Sequence, residues 1–194
     1  MNISIIKYNA GNIQSVLFAL ERIGINAHVT DEPELLRSSD KVIFPGVGEA
    51  STAMNYLKER NLDKLIISLK QPVLGICLGM QLLCNYSEEN DTTCLGIFNT
   101  SVKKFSLNLK VPQIGWNRIS VNSTLPLLKK IPANPYCYFV HSYYADLCDH
   151  TIAETEYGIP FSSAVAKDNF YGVQFHPEKS ATTGEQILKN FLSL

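Results

Sequence analysis

A cysteine, a histidine and a glutamate, residue types that cooperate in nucleophilic catalysis, stand at positions 77, 176 and 178. Cys77 lies in Gly75-Ile76-Cys77-Leu78-Gly79, the thiol counterpart of the G-x-S-x-G nucleophile elbow. Val73 to Ile76 is a short apolar run behind Pro72, too brief for a helix, and reads as a buried strand. Leu78, Leu82 and Leu83 follow at helical spacing, so Cys77 sits where a strand turns sharply into a helix. The flanking glycines let neighbouring backbone pass close to that turn. The helix N-terminus beside the sulfur favours a thiolate, and the Leu78 N–H becomes an oxyanion donor. A bare G-x-C-x-G is equally compatible with a buried structural cysteine.

A cysteine nucleophile needs a base, and the base needs an orienting acceptor. His176 ends the buried run Phe170 to Phe175, at the same sheet edge as Cys77. Glu178 can accept from its imidazole, because Pro177 fixes the extended turn between them. His141 is an alternative base; His28 and His150 stand in polar, surface-like contexts and receive no function. No H-x-x-x-H or H-x-x-E-H pair is present, and neither a metal nor a cofactor is expected. Pro45-Gly46-Val47-Gly48 follows another strand and could turn N–H groups toward an oxyanion; it lacks the Lys-Ser/Thr of a phosphate loop. Gln81, one helical turn past Cys77, could bring its amide to the same cleft.

The elements that would position these groups alternate. Ile3 to Tyr8 is a strand, Asn9 to Asn12 a capping turn, and Ile13 to Ile23 a helix closed by Gly24. Asn26 to Val29 and Lys41 to Phe44 are strands, with a short helix at Glu34 to Arg37 between them. Helices over Ala50 to Arg60 and Leu62 to Leu69 precede the strand that carries Cys77. Such alternation indicates a parallel sheet covered on both faces, with ligands at the carboxyl ends of its strands. The loops 9–12, 45–48 and 77–79 would share that end. The helix from Leu78 should carry Cys84 on the same face as Cys77, as a core residue.

After the acidic loop Ser87 to Asp91 the pattern turns to successive strands: Val102–Leu109, Arg118–Val121, Tyr136–Ala145, Thr151–Glu156 and Phe161–Ala166. This half reads as an antiparallel or mixed elaboration, before a last strand to Phe175 and a helix from about Gly184 to Leu192. The whole is α/β and flavodoxin-like, and residues 1–194 are expected to form one domain.

Composition narrows the classes. The chain has 194 residues, 45% hydrophobic and 18% charged, with a net charge of −1, so nucleic acid and anionic membrane surfaces are not expected partners. Neither a membrane span nor a signal peptide is visible. Five cysteines without a C-x-x-C pair are neither a disulfide framework nor a zinc module, and suggest a reducing, cytoplasmic setting.

Gly75-Ile-Cys-Leu-Gly-Met-Gln81 together with Gln174-Phe-His-Pro-Glu-Lys-Ser180 resembles the class I (triad) glutamine amidotransferases. Tyr8-Asn-Ala-Gly-Asn12, Phe44-Pro-Gly-Val-Gly-Glu49, Pro112-Gln-Ile-Gly-Trp-Asn117 and Phe139-Val-His-Ser-Tyr-Tyr144 resemble, within that class, the glutaminase subunit of imidazole glycerol phosphate synthase. Ile114 stands where that branch carries methionine, a conservative departure.

The resemblance implies that Cys77 attacks the amide of L-glutamine, with His176 as base and Glu178 orienting it. The oxyanion would be held by Gly46, Val47, Gly48 and Leu78, and the glutamine by Gly48, Gln81, Ser142, Tyr143 and Glu89. It also implies a heterodimer with a (β/α)8 cyclase barrel that receives the ammonia in histidine biosynthesis, with Asn12, Trp116, Tyr138 and Lys179 facing it. Two other readings are a glutaminase feeding a different acceptor synthase and a silent flavodoxin-like module sensing oxidation through Cys77.

Overall fold

The computed structural model describes residues 1–8, 11–105 and 108–194. The first half alternates strand and helix: β1 (Ile3–Ile6), α1 (Ile13–Arg22), β2 (Ala27–Thr30), α2 (Pro33–Ser38), β3 (Lys41–Phe44), α3 (Ala50–Glu59), α4 (Leu62–Ser68), β4 (Val73–Ile76) and α5 (Leu78–Leu82). Then come β5 (Cys84–Ser87), β6 (Thr92–Thr93), β7 (Phe98–Lys104), β8 (Gln113–Arg118), β9 (Ser120–Val121), β10 (Tyr136–His141), β11 (Tyr143–Ala145), β12 (Thr151–Glu156), β13 (Pro160–Lys167) and β14 (Phe170–Val173), before α6 (Ala181–Leu192).

β2, β1, β3, β4 and β14 lie side by side and run parallel. β13 pairs antiparallel with β14 and carries the sheet on through β11, β7, β5 and β6, while β8 and β10 form a separate antiparallel pair. Every residue of β1, β3 and β4 is buried, as a sheet covered on both faces requires. One core joins Val42, Phe44 and Val73 to the apolar faces of α3, α4 and α5; the other joins Ile3, Ile5, Ile43, Leu74 and Ile76 to α1 and α6.

The pairing of β4 with β14 builds the site. Gly75 stands opposite Gly172 and Ile76 opposite Val173, and the Cys77 N–H donates to Val173 O at 2.8 Å. A Cβ on Gly75 would lie 2.7 Å from Met80 N, and one on Gly172 would lie 2.7 Å from Met80 Cγ. This facing glycine pair is therefore a flat seat that lets α5 rest directly on the two strands.

Several boundaries differ from the sequence reading. α5 stops at Leu82 because Cys84 begins β5, so Cys84 is not on the elbow helix, although it is fully buried. The expected run Tyr136–Ala145 is two strands in different sheets, broken at Ser142, since alternation cannot show where a strand changes partner. Arg118–Val121 likewise divides between β8 and β9, and β7 lies earlier than the expected Val102–Leu109, part of which falls outside the described residues. Asn9 and Ala10 of the expected capping turn also lie outside them. Asn12 occupies the N-cap of α1 in a left-handed conformation (φ 73°) but gives its side chain to another partner. Among the described residues no helix is long and apolar enough to cross a membrane.

Candidate active site

Cys77 joins β4 to α5 with φ 52° and ψ −108°, a backbone that L-residues rarely adopt and that a nucleophile elbow demands. Gly79 makes the turn possible, because a Cβ there would fall on the carbonyl oxygen of Phe44 at the end of β3. The thiol is 5% exposed, and its sulfur lies 3.8 Å from Val140 O.

His176 leaves β14 and is 2% exposed. Its Nδ1–H donates to Glu178 Oε1 at 2.8 Å. A carboxylate only accepts, so that bond fixes the proton on Nδ1 and leaves Nε2 an acceptor. Among the described residues Nε2 has no hydrogen-bond partner; no Sγ–Nε2 bond closes in this structure, yet the two groups act on each other. Burial works against the imidazolium, but Cys77 and Glu178 beside the ring, through hydrogen bonding first and charge second, outweigh it and raise the His176 pKa to about 10. A proton leaving the thiol thus has a ready acceptor in the imidazole.

Asn12 holds the far side of this pair by donating its side-chain amide to Glu178 Oε1. The resemblance turns Asn12 toward a partner; its carboxamide binds the glutamate while the residue stays partly exposed. Tyr8 also serves the site, its buried hydroxyl donating to Pro45 O at 2.6 Å. Burial and the charge of Cys77 raise the phenol pKa well above its usual value and keep it a donor.

The 46–48 loop lies beside the elbow, but its carbonyls are turned in. Leu78 N–H donates to Gly46 O at 3.3 Å, and Gly11 N–H to Val47 O at 3.3 Å. The Leu78 donor expected for an oxyanion is occupied in this state. Gly48 has φ +129°, a region open to glycine.

A cavity of about 270 Å3 opens over the sulfur, and Val47, Gly48, Leu78, Gln81, Glu89, Ser142 and Tyr143 line it with Cys77. All five residues named for glutamine therefore face one space. Glu89 is half-buried; desolvation raises its pKa, and its carboxylate accepts from Ala50 N at 2.8 Å, where α3 starts. His141 also borders the cavity. It donates from Nδ1 to Tyr143 O at 2.7 Å, and burial lowers its pKa to about 4. Among the described residues a carboxylate bonds to His176 and none bonds to His141, so His176 is the better-oriented candidate base.

Gln81 is buried, donating from Nε2 to Tyr143 O and to Gln174 Oε1, each at 2.9 Å. Gln174 was not singled out from the sequence. It is fully buried and points Nε2 at the Cys77 sulfur, 3.6 Å away. Its signal was a polar residue at the end of an otherwise apolar strand run. Among the described residues no group of three or more His, Cys, Asp or Glu side chains could hold a metal ion.

On the outer face of the β8–β10 pair, Trp116 is 53% exposed and stands opposite Tyr138, their rings 6.0 Å apart and nearly perpendicular. Ile114 and Tyr136 extend this exposed apolar face, and Lys179, next in sequence to Glu178, is exposed. The face is tied to the backbone of His176. His176 N–H donates to Tyr138 O, Tyr138 N–H donates to Ser180 Oγ, and Ser180 Oγ–H donates to His176 O.

The glutamine amidotransferase class-I family model matches residues 5–194. The chain is 55% identical over 197 residues to the imidazole glycerol phosphate synthase subunit HisH of Bacteroides fragilis, with 100% of both chains covered. It is 46% identical to the protein of that name from Yersinia pseudotuberculosis, again with 100% of both covered. Among solved structures, it superposes on a glutamine amidotransferase from Thermotoga maritima with a TM-score of 0.66 at 20% identity, covering 99% of this chain and 82% of that one. At that identity the likeness is one of fold.

Proposed function

The chain belongs to the class-I glutamine amidotransferase family and, within it, to the glutaminase subunits of imidazole glycerol phosphate synthase; we propose that Cys77, His176 and Glu178 are its catalytic triad. It hydrolyses L-glutamine as one subunit of a synthase in histidine biosynthesis. The observation that carries the residue assignment is the His176 ring: Nδ1 spent on Glu178, Nε2 a buried acceptor without a partner among the described residues, and Cys77 on the strained turn beside it.

In this reading Cys77 gives its proton to His176 Nε2, and the thiolate attacks the side-chain carbonyl carbon of glutamine. The tetrahedral oxyanion needs N–H donors, which the Leu78 amide and the 46–48 loop provide once Gly46 O turns away from Leu78 N. When the C–N bond breaks, His176 returns the proton to the departing nitrogen and ammonia leaves. Water, deprotonated by His176, then cleaves the glutamyl thioester to glutamate and restores the thiol. Gln81, Ser142, Tyr143, Gly48 and Glu89 hold the substrate, Glu89 as the carboxylate available to an α-ammonium group.

Ammonia released into neutral water becomes ammonium and loses its nucleophilicity, so the partner subunit must dock over the site. We assign that partner as a (β/α)8 cyclase barrel and its seat as the Trp116–Tyr138 face with Lys179 and Asn12, an exposed aromatic patch being what an interface core requires. The Tyr138–His176–Ser180 backbone bonds would carry its docking directly to the base. The whole of 1–194 acts as one glutaminase domain, in the cytoplasm and without a cofactor.

Glutamate release, measured for the chain alone and with the cyclase barrel and its nucleotide ligand, tests the proposal. Strong stimulation by the barrel, abolished in Cys77→Ala, is expected. Turnover that survives Cys77→Ala refutes the triad, and turnover indifferent to the barrel refutes the partner.

A further inference from the structure

We propose that Gln174 is a further catalytic residue, donating a side-chain N–H to the Cys77 sulfur and steadying the thiolate while the proton resides on His176. The inference rests on the reading of Cys77 as nucleophile. It starts from a backbone carbonyl, Tyr143 O, which can only accept. The atom of Gln81 that faces it at 2.9 Å is therefore the amide nitrogen. That same nitrogen lies 2.9 Å from the Gln174 side chain, which must present its oxygen to it. The nitrogen of Gln174 is thereby turned to Cys77 Sγ, 3.6 Å away. The orientation of both amides thus follows from one fixed carbonyl, with no freedom to flip.

Burial makes the donation matter. Gln174 is 0% and Gln81 4% exposed, so the interaction is shielded from solvent and its direction is set by packing. A second polar contact of the sulfur among the described residues, Val140 O at 3.8 Å, can be served only by a thiol proton. Once that proton moves to His176, the Val140 carbonyl opposes the anion, while the Gln174 N–H remains a donor to it. The relay Tyr143 O, Gln81, Gln174, Sγ therefore favours the ionised over the neutral sulfur. It also ties the thiolate to Tyr143, whose side of the cavity receives the substrate.

The test is the pH profile of iodoacetamide alkylation at Cys77, followed in the full chain by mass spectrometry of the Cys77 peptide. Mapping the peptide separates it from Cys148, the half-buried thiol. Gln174→Met keeps length and removes the donor; its alkylation midpoint should rise by about one pH unit, a roughly tenfold smaller thiolate fraction below the midpoint. Circular dichroism and thermal melting report whether the variant is folded. If it is not, Gln81→Met, which removes the anchor of the Gln174 amide, should raise the midpoint in the same direction by a smaller amount. An unshifted midpoint in the folded variant overturns the proposal. Glutamate release by Cys77→Ala, measured alongside, reads the triad separately: turnover there sinks the nucleophile assignment, whatever the alkylation profile shows.

Discussion

Replacing Glu178 by glutamine separates the charge the glutamate lends to His176 from the orientation it imposes. Glu178 Oε1 receives two donors, the His176 Nδ1–H and the Asn12 amide. In Glu178→Gln the side-chain oxygen still has both to satisfy, and turning the amide would set its NH2 against two other N–H groups. Its NH2 then occupies the place of Oε2, which is buried without a partner among the described residues. The oxygen should therefore stay on His176, the Nδ1–H tautomer should persist, and the loss should be one of charge alone. A charge-assisted hydrogen bond exceeds a neutral one by roughly 1–1.5 kcal/mol, or about one pKa unit. The His176 pKa, raised to about 10, should fall by about one unit, and kcat near neutral pH should drop about tenfold. The assay is glutamate release by the assembled synthase across about pH 6–11, where the alkaline limb reports the imidazolium. Adding Asn12→Ala to Glu178→Gln frees the amide to turn and select the wrong tautomer, which should cost roughly a further hundredfold or more. An alkaline limb unmoved in Glu178→Gln would refute the electrostatic role of the glutamate. A loss of about 10⁴ in the single variant would refute the lock assigned to Asn12.

Other expectations follow from the same geometry. Tyr8→Phe leaves the buried Pro45 carbonyl unpaired and should cost about 1–3 kcal/mol, read as a melting temperature lower by roughly 3–10 °C. The raised pKa of His176 stabilises the fold fully below its unfolded value of about 6.5, and this is lost as pH climbs through about 10. The urea midpoint of the wild type should therefore fall at high pH more than that of His176→Asn. His141 works at the other end: its pKa, lowered by burial to about 4, contributes stability that is lost as pH falls from about 6.5 through that value. Urea titrations of wild type and His141→Leu at mildly acidic pH should show the wild type losing more stability. Trp116→Ala removes an exposed ring, so monomer stability should change by no more than about 1 kcal/mol. Affinity for the partner subunit, measured by calorimetry, should fall by about 2 kcal/mol or more.

Much of this arrangement was legible because its determinants are local. The elbow is written in Gly75, Cys77 and Gly79, whose spacing dictates a strand, a strained turn and a helix. The alternation of apolar strands and amphipathic helices likewise announces a parallel sheet. What escaped depends on which strand lies beside which. Ser142 divides an uninterrupted strand-like run because Tyr143 pairs with Lys104, whereas His141 pairs with Gln113 in another sheet. Gln174 and Gln81 meet across 93 positions, and no periodicity within either segment reveals the other. Asn12 looked like a helix cap because its residue type favours one; a carboxylate brought from 166 positions away competes for its amide and wins.

The parallel pairing of β4 with β14 also sets a timetable. Cys77 and His176 are neighbours only because two strands separated by the whole elaborated half of the molecule lie edge to edge. During synthesis the proposed nucleophile, Cys77, leaves the ribosome first. At about 5–20 residues per second, translation through Glu178 takes roughly 5–20 s more. Throughout that interval β4 has β3 on one side, while its other edge awaits a strand not yet made. A nascent chain is then a thiol without a base, unable to spill ammonia before the subunit is whole. The exposed edge is the corresponding hazard, since an unpaired strand can recruit another chain. The order in which the protein is made thus keeps its chemistry silent until its last strand arrives.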